Sequence, residues 1–308
     1  MVTAQKRRLG LIRKKKPQVG WIGIVIALLV VVMVFILLAF SDRFWDGRSK
    51  LILAVATKNG DVIVSSFDPK TESIVNIFIP GSTQLIASRQ LGSWKAKSLW
   101  QLGENEKLGG TLLRETIVKN FYFPVVSWGE ETALAYSRGD FAGILKAVVT
   151  PFETNLKIGD KIKLAFFSLS IKNPKRVDFD LRDGGNLKKT KLPGGEEGYL
   201  ISGSGMEKFI VYFTDNEISN QNLRVEIRDA TGKTKIAQEV GKVIEVLGAK
   251  VSAVNKMTEE DTDCEVFGRH RKLVNLISLV YSCSTSKKER AANFDAVVKI
   301  GKTFAGRY

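Results

Sequence analysis

LRVEIRDATGKTKIAQEVGKVIEVLGAKVSAV, residues 223–254, changes its hydrophobic period twice, and that change decides the fold of the carboxyl-terminal part. In LRVEIRDA the apolar Leu223, Val225 and Ile227 alternate with polar residues, the period of a strand with one buried face. From Ile236 the period lengthens. Ile236, Ala237, Val240, Val243, Ile244 and Leu247 fall on one stripe of a helix that Gly248 stops. KVSAVN then reads as a second strand. Farther out, CEVFG (264–268) is a third strand, HRKLVNLISLVYS (270–282) a helix burying Leu273, Val274, Ile277 and Val280, and AVVKIGK (296–302) a closing strand. This order predicts a small two-layer α/β module over residues 221–308, with right-handed crossovers between parallel strands.

Upstream, LILAVA (51–56) is a strand, and DVIVSSFDPKTESIVNIFIP (61–80) reads as two strands around a turn at Asp68, Pro69, Lys70 and Thr71. LGGTLLRETIVKNFYF (108–123) has Leu112, Leu113, Thr116, Ile117 and Phe121 at helical spacing, with Gly109 and Gly110 opening the helix and Pro124 closing it. Residues 133–150 give another helical pattern interrupted at Gly139 and Gly143. In 151–220 the segments KIKLAFFSLSI, KRVDFDLR and KFIVYFTD alternate and read as strands, and their assignment to either neighbouring domain stays open. The region 51–220 is thus expected to be a mixed α/β domain.

VGWIGIVIALLVVVMVFILLAF (19–40) carries no charged side chain. A membrane-crossing helix needs about 20 such residues, so a single amino-terminal transmembrane helix is expected at 19–40, with a stalk at 41–50. Cleaved signal peptides have shorter apolar runs, of about 7–15 residues, ending in small side chains, whereas this run ends in FILLAFSDRFW. Lys6, Arg7, Arg8, Arg13, Lys14, Lys15 and Lys16 precede it, and no Asp or Glu stands in the first eighteen residues. The tail 1–18 is therefore expected in the cytoplasm and residues 41–308 outside the plasma membrane. Trp21, Phe44 and Trp45 suit the aromatic belts at the two interfaces.

The chain has 47 Lys+Arg against 32 Asp+Glu, a net charge of +15. Setting aside the seven tail positives leaves +8. A basic tail beside a membrane is accounted for by topology and anionic lipid, so no nucleic-acid partner is implied. The residual +8 favours anionic partners such as phosphate-bearing polymers or lipid head groups.

The module RVEIRDATGKTKIAQEVGKVIEVLGAKVSAV through VVKIGKTF, about residues 222–304, resembles the LytR carboxyl-terminal domain. LILAVA, Asp61 leading into VIVSSFDPKT, and IVNIFIP follow in the order that opens the LytR/CpsA/Psr domain, which this outer segment resembles. That resemblance implies a bacterial cell-envelope protein. Active members transfer phosphate-linked glycopolymers from a polyprenyl-pyrophosphate carrier to the cell wall, with carboxylates on a metal and arginines on the pyrophosphate. Here the loop after the first strand is ATKNG, without the family's first Asp, and Gly81 and Ser82 follow Pro80 where the family carries Arg and Asp. Asp61 alone matches. Pyrophosphate chemistry needs several cations and carboxylates converging, and one Asp does not supply them.

The expected function is a non-catalytic one: binding or organising wall-linked or phosphate-bearing glycopolymer, with the lipid bilayer, a polyprenyl-phosphate lipid or other envelope proteins as partners. The alternative is a divergent phosphotransferase with Asp61, Arg89 and Arg114 as catalytic candidates and Mg2+ on Asp61; otherwise no cofactor is expected. A third class, a tethered partner-binding protein, would expose an apolar patch on the carboxyl module. His270 is the single histidine, which rules out a two-His zinc motif, and it reads as a surface residue at a helix start. Ser204 in SGSGM lacks the nucleophile-elbow pattern and reads as a turn. Cys264 and Cys283, on the outer side, form one disulfide or remain two buried thiols.

Overall fold

The computed structural model describes residues 21–41, 45–202, 206–286 and 293–308. The basic tail, Phe44 and Ser204 lie outside them. Helix α1 runs Trp21–Ser41, 21 residues or about 32 Å. Its described side chains from Ile24 to Val34 are exposed, as is Trp21. Counted over the described side chains alone, no helix is long and apolar enough to cross a membrane.

The first sheet is built from β1 (Leu51–Ala56), β2 (Val62–Asp68) and β3 (Ser73–Ile79), an antiparallel meander whose turn lies where Asp68 and Pro69 predict it. The small hairpin β4 (Gln84–Ile86) and β5 (Ser93–Lys95) follows, then helices α2 (Leu99–Asn105) and α3 (Gly110–Phe121). Tyr122, in the left-handed region, ends α3 before Pro124 can. β6 (Ser127–Glu130) pairs parallel with β1. α4 (Leu134–Arg138) and α5 (Phe141–Val149) are separated at Gly139. α6 (Ile158–Ser170) leads to β7 (Arg176–Asp180), which pairs parallel with β3 and completes the order β6-β1-β2-β3-β7. Every residue of β2, and all of β1 but Ala56, is buried, so both faces of the sheet are covered. A hairpin of β8 (Leu187–Lys191) and β9 (Glu197–Ile201) closes this part.

KIKLAFFSLSI is α6, a helix rather than the expected strand. Ile162, Leu164 and Phe166 alternate, but capping at the amino end wins: Lys157 N–H donates to Asp160 Oδ2 at 3.1 Å. Ile162 and Leu164 are buried while Phe166 faces out. KFIVYFTD is likewise helical, as α7 (Ile210–Phe213), and Asp215 caps α8 (Asn216–Asn220) immediately afterwards. Trp45 is not an interface anchor. It is 3% exposed, its indole donates to Ser49 O, and its ring packs edge-on to Phe167 of α6.

The second sheet follows the sequence reading closely. β10 (Arg224–Ala230), α9 (Ile236–Val246) and β11 (Lys250–Lys256) form a parallel crossover unit. β12 (Cys264–Gly268), α10 (Arg271–Tyr281) and the short β13 (Ser284–Thr285) form a second. β14 (Ala296–Gly301) lies between β10 and β12, giving β11-β10-β14-β12-β13, and α11 (Lys302–Arg307) follows. Val225, Ile227, Val266 and Val298 join the main core, whereas Phe267 and Val297, on the other face, pack with Phe294. Cys264 and Cys283 are bridged, tying the start of β12 to the residue before its neighbour β13.

Polar contacts join the two sheets' layers. Asp215 N–H donates to Leu247 O, and Lys272 of α10 pairs with Asp215 and Glu217 at 2.8 and 2.9 Å.

Candidate functional site

β1 and β6 end side by side, with Ala56 opposite Glu130. The carboxyl ends of adjacent parallel strands leave a crevice, because the chain turns away from each in different directions. A cleft of about 550 Å³ opens there, lined among others by Lys58, Lys97, Trp100, Glu131, Arg138 and Lys146. A second cleft of about 510 Å³ shares Lys58, Gly60, Lys97 and Gln101 with it and adds Trp94. The two meet over Lys58 and Lys97, making one groove.

Two tight approaches shape the groove floor. The 57–60 turn closes on itself through Gly60 N–H to Thr57 O, and Lys58 N–H donates to Glu131 Oε2 at 3.1 Å. Gly60 has φ +87°, and a Cβ there would lie 2.6 Å from Lys97 Cβ. At Gly81 a Cβ would lie 2.6 Å from Gly60 O and 3.1 Å from Lys97 Cβ. Position 81 therefore has no room for a side chain, which gives a physical reason for glycine where the resemblance would place arginine.

Lys58, Lys97, Arg138 and Lys146 are exposed, and none is in an ion pair among the described residues. Of the acids on the wall, Asp140 is committed to capping α5 through Gly143 N–H. Trp100 packs edge-on to Trp128, and Trp94 is 41% exposed. Free cations beside aromatic faces can hold phosphate by charge and a sugar ring by its apolar face.

Of the sequence candidates, Asp61 adjoins the groove floor, whereas Arg89 and Arg114 stand elsewhere. Asp61 Oδ1 accepts from Gly81 N–H at 2.7 Å, holding the two close loops together. Arg89 and Arg114 converge on Glu115: Arg89 Nε lies 2.9 Å from Oε2 and Arg114 Nη2 3.6 Å from Oε1. Arg307 approaches the same carboxylate at 3.7 Å. Arg114 also donates to Leu279 O at 2.9 Å and Ser282 Oγ at 2.8 Å, and Arg89 N–H to Arg307 O, so this cluster sits between the two sheets' layers. Burial first, with the charges of Arg307 and Arg89 after it, holds the Arg114 guanidinium below its ordinary pKa despite Glu115. No contact joins Asp61 to Arg89 or Arg114 among the described residues.

A Mg2+ ion is usually held by one or two carboxylates, waters and the phosphates of a substrate; among the described residues no group of three His, Cys, Asp or Glu could hold a metal ion, and Asp61 already accepts from Gly81 N–H. Sequence reading missed the groove cations because Lys58, Lys97, Arg138 and Lys146 come from four segments without a shared motif. The one local signal was the turn ATKNG.

No family model and no curated protein matches this sequence. Among solved structures it is similar to TagT from B. subtilis, at 12% identity and TM-score 0.39 over 55% of this chain and 91% of that one. Lin1025 from Listeria innocua gives 14% identity and TM-score 0.38 over 54% and 97%. The LytR-CPS2A-psr family protein YwtF (TagT) with bound octaprenyl pyrophosphate lipid gives 13% and 0.38 over 55% and 91%. Members of the family that the residues resemble are thus among the structures this chain is similar to. With TM-scores below 0.5, the function rests on this chain's own residues.

Proposed function

We propose that this chain is a membrane-anchored, extracytoplasmic cell-envelope protein that holds phosphate-bearing glycopolymer in the groove at the ends of β1 and β6, without turnover. α1 is the single span, with its basic tail in the cytoplasm, and the outer part divides near residue 221. The disulfide supports an oxidising location. The observation that carries the reading is the groove itself: four exposed cations outside any ion pair among the described residues and two tryptophans, beside the wall acids Glu130, Glu131 and Asp140, of which Glu131 accepts from Lys58 N–H and Asp140 from Gly143 N–H. Gly81, packed on Gly60 O, supports the absence of turnover.

The test is binding of the full chain, in lipid nanodiscs, to polyprenyl-pyrophosphate glycans with and without magnesium, following retention and release of the lipid phosphate. Binding without release is expected. Lys58→Gln with Lys97→Gln should weaken it about thirtyfold at low salt and less at high salt, since two charges near a phosphate contribute roughly 1 kcal/mol each in water. Release abolished by Asp61→Ala would instead make the chain a transferase.

A further inference from the structure

The helices α5 and α6 pack together and bury Ile144 and Ala147 of the one and Ile162 and Leu164 of the other. Their outer sides are also apolar. Phe141, Leu145 and Val149, one stripe of α5 at four-residue steps, are 66, 56 and 72% exposed, and Phe166 and Leu169 of α6 are 71 and 44% exposed. Five large apolar side chains left open on two neighbouring helices mark a surface that something covers.

The chain's own path says what covers it. Trp45 follows Ser41, the end of α1, by four Cα–Cα steps, so the two lie at most about 14 Å apart. Trp45 N–H donates to Asp160 Oδ1 at 2.9 Å, and Lys163 Nζ donates to Asp46 O at 2.9 Å. The segment leaving α1 is therefore bolted to the first turns of α6, and α1 itself lies against α6. Phe166 stands six residues along α6 from Asp160, about 9 Å. Of the lysines on these two helices and the loop after them, Lys146 lines the groove, Lys163 is held on Asp46 O and Lys175 pairs with Glu72, so the apolar side chains rather than charge define this face. An exposed apolar stripe beside a membrane-anchoring helix is the chemistry of a surface seated in a lipid interface.

We infer that the α5–α6 face docks into the outer surface of the bilayer, so that the outer domain is held in one orientation on the membrane rather than swinging on its stalk. The inference rests on α1 being the membrane anchor. The occupant is the lipid of the same membrane.

The test places bimane on single cysteines of the full chain in nanodiscs of mixed anionic and zwitterionic lipid, and reads quenching by brominated lipid. Cys264 and Cys283 are bridged and take no label. The sites are Leu145→Cys and Phe166→Cys on the face, Ile26→Cys in α1, and Val254→Cys on β11. Quenching at 145 and 166 at least threefold above that at 254, with 26 also quenched, is expected. Quenching at 26 with 145 and 166 no different from 254 overturns the docking and leaves the anchor standing. No quenching at 26 overturns the anchor and the docking with it.

Discussion

Arg114 is 4% exposed, and its two outer nitrogens are spent on Leu279 O and Ser282 Oγ. Removing a buried charged partner typically costs about 3 kcal/mol, so Arg114→Ala should lower the unfolding free energy in urea by that order. Glycan binding at the groove should stay unchanged in the folded variant; loss of binding with full stability would place Arg114 in the anion site. Asp68 gives a pH prediction. Burial by itself would raise its carboxyl, yet Lys50 at 3.2 Å, the N–H group of Lys70 and the Thr71 side chain hold it below the ordinary carboxylate range. The unfolded chain then takes up the proton first, near pH 4, so the contribution to stability is complete above that pH and lost as pH falls through the lower folded value. Urea unfolding at pH 7 and pH 3 should show this loss, and Asp68→Asn should shrink it. The Arg114 contacts and the Lys50 pairing of Asp68 were not legible in sequence, whereas the Asp68 turn was. A lone Arg or Asp reads alike whether it meets substrate or a neighbouring carbonyl, because partners 165 residues away leave no local trace.

The elements whose burial alternates at one period were legible. β10, α9 and α10 lie where their stripes predict, since Val225, Ile227, Val240, Val243, Ile244 and Ile277 all face the core. α6 was not legible, because Ile162, Leu164 and Phe166 satisfy a strand period while Asp160, committed to Trp45 from far upstream, holds a helix start. The loops around Gly60 and Gly81 are the element on which the groove depends. Gly81→Arg should destabilise the fold by about 1–3 kcal/mol through overpacking, and it should confer no release of lipid phosphate. Thermal unfolding together with the glycan assay checks both. A variant that folds normally and releases phosphate would show that the close approach to Gly60 O does not exclude turnover.

At the scale of the molecule, the bridge between Cys264 and Cys283 closes a loop of sequence separation 19. A loop that size contributes about 3 kcal/mol by constraining the unfolded chain. Reduction should lower the urea midpoint of the full chain accordingly, and protein taken from cells under thiol-blocking conditions should show no free thiol. The groove is also a property of the whole molecule, since its cations converge only after β1, β6 and α5 have packed. What the residues alone determined was the order of strands and helices in the carboxyl module, the hairpin at Asp68 and Pro69, and the uncharged run at 19–40, because each is written in side chains a few positions apart. Tertiary structure alone decided that Trp45 is buried, that α6 is helical, that Arg89 and Arg114 meet at Glu115, and that Lys58, Lys97, Arg138 and Lys146 share one groove. Those outcomes depend on contacts between distant segments, whose free energy of burial and pairing no local pattern encodes.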